Sequence, residues 1–389
     1  MNGTPPIQSS PGAFIYLACQ RGAESALKAE MTKKRPDFKF SYSRPGFLTY
    51  KTSEGLALNK KLGLTVESLR LVFARSCVLS LGSIDAKSCA DASGQFDASL
   101  ACEATWRLWE SASASHEELR SPARLHVYQR DAAQVGAKGF EPGANLTVVQ
   151  THRRLLECAP QSVRATLSDQ AQYWQAPARE GELCIDVAIV EPNRWMIGFH
   201  KATDFHSRYP GGLLPMKLPT DAASRAFLKF EEGLRWADFP ITLGSRCVDI
   251  GASPGGGSQA LLARGAFVLG VDPALIDPRV MAHPNFTHLR GKINQLKRKN
   301  FRKSRWFITD MNVAPKYTLD ALEEIVARDD IAARGLLFTL KFFEWKLAQE
   351  IPSYIRRVKS WGFNHVKARQ LQFNRQEIMI AALKKPFRH

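Results

Sequence analysis

The sequence predicts an α/β fold: a mostly parallel sheet with helices on both faces in the C-terminal half, preceded by a region of α+β character. Three observations carry this. Two apolar runs, Cys247 to Ile250 and Ala266 to Val271, bracket a glycine-rich turn and a helical segment, Ser258 to Arg264, which is one βαβ unit. Downstream of it, helices and short apolar strands alternate, as they must where parallel strands are joined by crossovers. Upstream, short strands meet across tight turns such as Glu191-Pro192-Asn193, the signature of hairpins.

With 389 residues the chain is long enough for two or three domains and a sizeable core. An apolar share of 44% with 23% charged residues is that of an ordinary globular protein. No apolar run approaches the roughly eighteen residues a membrane helix needs. The opening MNGTPPIQSSPG lacks a basic segment leading into an apolar one, which argues against a signal peptide and for the cytoplasm. Seven cysteines at 19, 77, 89, 102, 158, 184 and 247, with no C-x-x-C pair, suit reduced thiols rather than disulfides or a metal site. The net charge of +17 is uneven: residues 201–389 hold 31 Lys and Arg against 17 Asp and Glu, whereas residues 1–200 hold 23 against 20. A basic half-chain points to a polyanionic partner, with nucleic acid first.

In chain order, Ala13 to Cys19 reads as a strand, Ala23 to Met31 as a helix, and Phe38 to Tyr42 and Gly46 to Tyr50 as strands across Arg44-Pro45. A strand-rich stretch from Glu67 to Leu81 follows, then a surface loop over 82–97. Ala101 to Ser111 and His152 to Ala159 have helical spacing, Arg124 to Tyr128 alternates, and Leu183 to Val190 pairs with Trp195 to His200. Residues 202–222, rich in proline and glycine, read as a linker. The last region then runs helix 224–236, strand, turn, helix, strand 266–271, a short strand near Thr287, strand 306–309, helix 319–327, strand 335–340, helix 344–361 and two closing strands. The domains expected are 1–95, 96–204 and 205–389.

The glycines of the turn decide its ligand. A dinucleotide site needs G-x-G-x-x-G, but Ser253 occupies the second glycine position. A P-loop needs a lysine where Gly257 stands. What remains is a tight turn of bare backbone with Asp249 before it and Asp272 at the end of the next strand, placed to accept the two hydroxyls of a ribose. Gly251, Ser253, Pro254, Gly255 and Gly256 are the candidate contacts. This resembles the S-adenosylmethionine site of class I methyltransferases, whose first motif runs acidic-x-G-x-x-x-G.

Ligands of such sheets bind at the carboxyl ends of the strands. Asp310 closes WFITD, Lys341 closes LLFTLK, Glu377 opens EIMIAAL, and Lys229 lies on the helix before the turn. Together they resemble the K-D-K-E tetrad of the FtsJ-type RNA 2′-O-ribose methyltransferases. A ribose hydroxyl is a poor nucleophile and needs a base, while a methyl sulfonium needs only in-line approach and no metal. Lys341 is the candidate base. Burial and Lys229 lower its pKa, Asp310 and Glu377 raise it, and the balance sets its activity.

The blocks KLPTDAASRAFLKFEEGLRW, DIGASPGGGSQALL, ITDM, TLK and ARQLQFNRQEIMI are similar to those of the RlmM family, which methylates a cytidine ribose of large-subunit ribosomal RNA. GFLTY and LVFARS are similar to its N-terminal half, which holds a THUMP RNA-binding domain. The resemblance implies a Rossmann-like methyltransferase domain behind a THUMP-like region, S-adenosylmethionine as cofactor with Asp310 beside it, ribosomal RNA as partner, and a monomer. Two departures are Lys292, near a position that is acidic in that family, and Ser253 in place of a cysteine.

Two rival readings stand beside this one. RNA base methylation would want an Asn-Pro-Pro-Tyr type loop, and Asp310-Met311-Asn312-Val313 is not one. A non-catalytic RNA-binding or assembly factor could keep the shell but would not need all four tetrad residues. Lys297, Arg298, Lys299, Arg302, Lys303 and Arg305, interleaved with Phe301 and Trp306, form a candidate phosphate-binding stretch or a solvated face, with Trp306 itself assigned to the strand core.

Overall fold

The computed structural model describes residues 13–52, 63–135, 137, 145–328 and 330–386, together with the backbone of 7–8. The rest of the N-terminal dozen, on which the expectation about a signal peptide rests, lies outside the described residues. The chain divides into two compact units, Met1–Pro215 and Met216–His389.

The described elements of the first unit are β1 (Ile7–Gln8), β2 (Phe14–Cys19), α1 (Glu24–Lys34), β3 (Lys39–Arg44), β4 (Phe47–Lys51), β5 (Ala74–Asp85), α2 (Ala98–Ser115), β6 (Arg124–Gln129), α3 (Leu146–Glu157), α4 (Gln161–Arg164), β7 (Leu183–Glu191) and β8 (Arg194–Lys201). They build one sheet in the order β3-β4-β2-β5-β8-β7-β6, with β1 on β5. Only β6 and β7, separated in the chain by α3 and α4, pair in parallel. Because β5 pairs with β8, the stretches 1–95 and 96–204 share a sheet. Strand β5 runs on to Asp85, into the stretch read as a loop. Helix α3 starts at Leu146, ahead of the expected 152, because the Asn145 side chain caps it by accepting from the Val148 N–H. Ala202, Asp204, His206 and Pro210 to Leu214 are buried, so the first half of the expected linker is packed structure.

Among the described residues, the buried cations of this unit each meet a carboxylate. Arg75 grips Asp131 with two bonds of 2.9 and 2.7 Å, Arg124 donates to Glu182, and the His200 ring lies against Asp186. His126, Cys184 and His200 bring one ligand atom each to within 4.8 Å of one another across β6, β7 and β8, a cluster their sequence spacing does not reveal. Both ring nitrogens of His200 are engaged, one by Asp186 and one by the Ser207 carbonyl. Six of the seven cysteines are buried and Cys158 is exposed; all are free thiols.

The second unit runs α5 (Ala226–Ala237), β9 (Arg246–Ile250), α6 (Gly256–Leu262), β10 (Phe267–Asp272), α7 (Pro278–Met281), β11 (Phe286–Arg290), β12 (Trp306–Thr309), α8 (Pro315–Val326), β13 (Gly335–Lys341), α9 (Ile351–Ser360), β14 (His365–Arg369) and β15 (Glu377–Leu383). Its strands lie in the order β11-β10-β9-β12-β13-β15-β14. The first five are parallel and β15 is antiparallel to both neighbours. Consecutive residues of β13 point to opposite faces, yet Leu336, Leu337 and Phe338 are all fully buried, so both faces of the sheet are covered. The helix expected over 344–361 is divided: Trp345–Glu350 is a 3₁₀ stretch, and α9 follows with Pro352 in its first turn, where the missing N–H costs nothing. No described helix is long and apolar enough to cross a membrane.

Candidate active site

The strand order reverses at β9, with β10 on one side and β12 on the other, which opens a crevice at their carboxyl ends. The glycine turn fills one side of it. Gly251 has φ +75°, and a Cβ there would stand 2.8 Å from Met311 Cγ, so only glycine lets the turn lie against the residue that follows Asp310. At Gly257, where a P-loop would carry its lysine, a Cβ would meet the Phe230 ring at 2.9 Å and Asp249 Oδ2 at 3.0 Å. The triphosphate reading therefore fails on space as well as on charge.

Asp272 is held at the mouth of this turn. Its carboxylate accepts from the Ser253 N–H at 3.1 Å and the Ala274 N–H at 2.8 Å, which leaves about two of its four lone-pair sites for a ligand's hydroxyls. The Ser253 hydroxyl donates to the Leu275 carbonyl and the Asp277 N–H to the Pro254 carbonyl, tying the loop after β10 onto the turn; the Ser253–Pro254 peptide is cis. Asp249 lies beneath, fully enclosed, and receives a 2.8 Å hydrogen bond from the Ser258 hydroxyl. Burial, with the nearby charges of Asp310 and Asp272, pushes its carboxyl up to about 7 against the pull of Ser258. Lys292 is exposed, and its backbone N–H donates to the Gln295 side chain.

On the other side of the crevice the four tetrad residues close a ring. Lys229 donates to Asp310 Oδ2 at 3.0 Å and pairs with Glu377 Oε1 at 2.6 Å. Lys341 donates to Asp310 Oδ1 at 2.8 Å and to Glu377 Oε2 at 2.7 Å. Each carboxylate thus bridges both ammonium groups. The side chains of Lys229, Lys341 and Asp310 keep 14–15% exposure and Glu377 4%, so the ring is sunk but reachable. Topology explains the convergence: parallel strands β12 and β13 end at this edge, and antiparallel β15 begins there, with Glu377 directly opposite Lys341.

Three residues not singled out in the sequence complete the arrangement. The Thr339 hydroxyl donates to Asp310 Oδ1 at 2.6 Å, and Asn374 donates to Glu377 Oε1 at 3.2 Å. Glu232, fully buried one turn along α5 from Lys229, accepts the backbone N–H groups of Gln372 and Phe373, fastening that helix to the approach to β15. Thr339 was within reach of sequence reasoning, since two residues before Lys341 on a strand is the same face.

The charges settle the balance that the sequence leaves open at Lys341. Burial pulls the ammonium down, but Glu377 and Asp310 outweigh it and hold its pKa above that of an ordinary lysine. Burial likewise works to raise Asp310, and Lys229 and Lys341 overcome it, keeping that carboxyl below the usual range. Phe301, expected as a ring among the basic residues, is buried at 1% exposure and offers no face for a base to stack on, whereas Trp306, at 4%, lies in the strand core as expected. Their apolar rings are worth more in the core, where Trp306 packs on Phe239.

A glycine turn with a carboxylate at its mouth thus stands beside a Lys-Asp-Lys-Glu ring at the carboxyl ends of the strands. Residues 222–377 match the FtsJ-like methyltransferase family. Among curated proteins, the chain is 27% identical over 238 residues to the ribosomal RNA large subunit methyltransferase M of Marinobacter nauticus, covering 54% of this chain and 65% of that one. It is 32% identical over 187 residues to the protein of that name from Methylococcus capsulatus, covering 45% and 51%. The matched stretch thus spans about half to two thirds of these relatives. Among solved structures, TrmN from Thermus thermophilus aligns over 95% of this chain and 99% of that one, at 14% identity and a TM-score of 0.34, too low to support further argument.

Proposed function

We propose that this protein transfers the methyl group of S-adenosylmethionine to a ribose 2′-hydroxyl of large-subunit ribosomal RNA. The observation that carries the reading is the closed ring of Lys229, Asp310, Lys341 and Glu377, set against the glycine turn at Met311. The FtsJ-like match supports the chemistry, and the names of the relatives support the substrate.

The sulfonium donor, when bound, supplies a methyl group already activated for displacement. Gly251, Ser253, Pro254, Gly255 and Gly256 would hold it through bare backbone, and Asp272 through its ribose hydroxyls. Lys341 Nζ takes the proton of the attacking hydroxyl, and it can do so only in its neutral form. Its two carboxylates aim it but keep that form scarce, and a positive charge arriving on this face shifts the balance toward it. Lys229 offsets the charge of the carboxylates, while Thr339 and Asn374 fix their direction. The first unit, similar in GFLTY and LVFARS to a THUMP-bearing half, would hold the RNA. The place of action is the cytoplasm.

The test is incubation with labelled methyl donor and unmodified ribosomal RNA. The expected product is an alkali-resistant linkage at one nucleotide; label on a base, or none, would overturn the reading. Lys341→Ala should lower methyl transfer by at least about 10³-fold and leave binding of the donor nearly intact. Retained turnover removes Lys341 from its role.

A further inference from the structure

The basic run from Lys297 to Arg305 takes no part in the chemistry above, and neither does the cleft beside it. That cleft, of about 400 Å³, lies at the amino-terminal ends of the strands in the second unit, the edge opposite the ring. Arg246 opens β9, Arg305 immediately precedes β12 and Arg334 immediately precedes β13, and all three line it together with Lys303. Backbone hydrogen bonds lock these entries side by side: the Arg305 N–H donates to the Arg246 carbonyl at 3.0 Å, and the Arg334 N–H to the Arg305 carbonyl at 2.7 Å. Three adjacent strands, roughly 5 Å apart, therefore each enter the sheet on an arginine.

These cations lack acidic partners. Among the described residues none of the four pairs with a carboxylate, whereas neighbouring Arg302 reaches Asp330 at 3.4 Å. Among the described residues the Arg305 guanidinium donates to the Ala332 carbonyl, and that of Arg246 lies 5.4 Å from the centre of the Phe267 ring. Thr242 and Ser245 add hydroxyls to the same lining. Four like charges gathered without a counter-charge repel one another, and guanidinium forks with hydroxyls between them fit the oxygens of a phosphate chain.

We propose that this cleft binds the phosphate backbone of the RNA at a point remote from the reacting ribose. The inference rests on the RNA reading above and deepens it. Strand β9 alone, from Arg246 to Ile250, separates the two edges by about 13 Å at roughly 3.3 Å per residue. An RNA engaged at both must reach around the domain, so the cleft would select a folded RNA over a short oligonucleotide.

The test is the triple variant Arg246→Gln, Lys303→Gln, Arg334→Gln in the full chain, with binding of a ribosomal RNA fragment measured against salt. We expect an affinity loss of about 10- to 100-fold and a fall of about two to three in the log–log salt slope, with donor binding unchanged as the check on folding. Arg334→Gln alone should lower the slope by about one. A control removing three exposed cations elsewhere, Lys316→Gln, Arg356→Gln, Lys359→Gln, should lose little. A triple variant that binds like the parent, or a control that loses as much, overturns the cleft. Polyglutamate displacing the RNA as well as unlabelled RNA does overturns it too, in favour of an acidic protein partner. Intact RNA binding with label on a base would overturn the ribose reading while leaving the cleft standing.

Discussion

The two units bury charge in opposite ways. In the first, each buried cation has its own carboxylate: Arg75 and Asp131 are joined by two hydrogen bonds and sealed at 2% and 5% side-chain exposure. In the second, two lysines share two carboxylates at the rim of a crevice, and both lysines remain 15% exposed. A closed pair holds a fold in register, whereas a shared ring can change one member's protonation and keep the others satisfied. Burial of charge alone therefore does not mark a site; sharing at a strand end does.

Three substitutions would sharpen or break this contrast. The largest effect is expected from Asp131→Ala, which strands Arg75 in the interior and should cost about 3–5 kcal/mol of stability in urea unfolding. Replacing both partners with apolar residues should recover most of it. If Asp131→Ala costs less than about 1 kcal/mol, the first unit's pairs are not structural in the sense argued.

Next in size is Asp249→Asn. The carboxyl of Asp249 stands near 7 in the folded chain, against about 4 when unfolded. Between those values the folded form keeps a proton that the unfolded chain has released, so this group lowers stability progressively as pH rises from about 4 through about 7. The amide cannot ionise and is expected to raise the thermal midpoint at pH 8 by the equivalent of about 2–4 kcal/mol, with little change at pH 4. An equal gain at both pH values would show that Asp249 is not held protonated. The smallest effect belongs to Thr339→Val, which removes one hydrogen bond to a charged acceptor. It should slow methyl transfer by roughly tenfold and cost about 1–2 kcal/mol of stability, and a loss in stability alone would make Thr339 a packing residue.

Much of the second unit was legible in the sequence because chemistry and topology speak there through residue type. The turn declares itself by glycines that cannot carry a Cβ, and Asp310, Lys341 and Glu377 declare themselves as polar residues bounding apolar strands. Glu232 could not be read that way, since its partners, the N–H groups of Gln372 and Phe373, lie 140 residues or more away in sequence. Phe301 misled because an aromatic ring between basic residues has the same spacing whether it stacks on a base or fills a core, whereas Trp306 was placed by the apolar strand it opens. The helical boundaries failed where caps and prolines decide, at Asn145 and Pro352. In the first unit, pairing of β5 with β8 joins segments more than a hundred residues apart, and no local pattern announces it.

The ring has a consequence for how the protein comes into being. Its hydrogen bonds cross 81, 31 and 36 residues of chain, so the ring closes only when β12, β13 and β15 have all found their places beside α5. Contacts of such separation are slow to close. A chain with its glycine turn already folded but β15 not yet inserted would hold Lys341 beside Asp310 without Glu377 to complete its geometry. The ring is therefore complete only when the last described strand is in place.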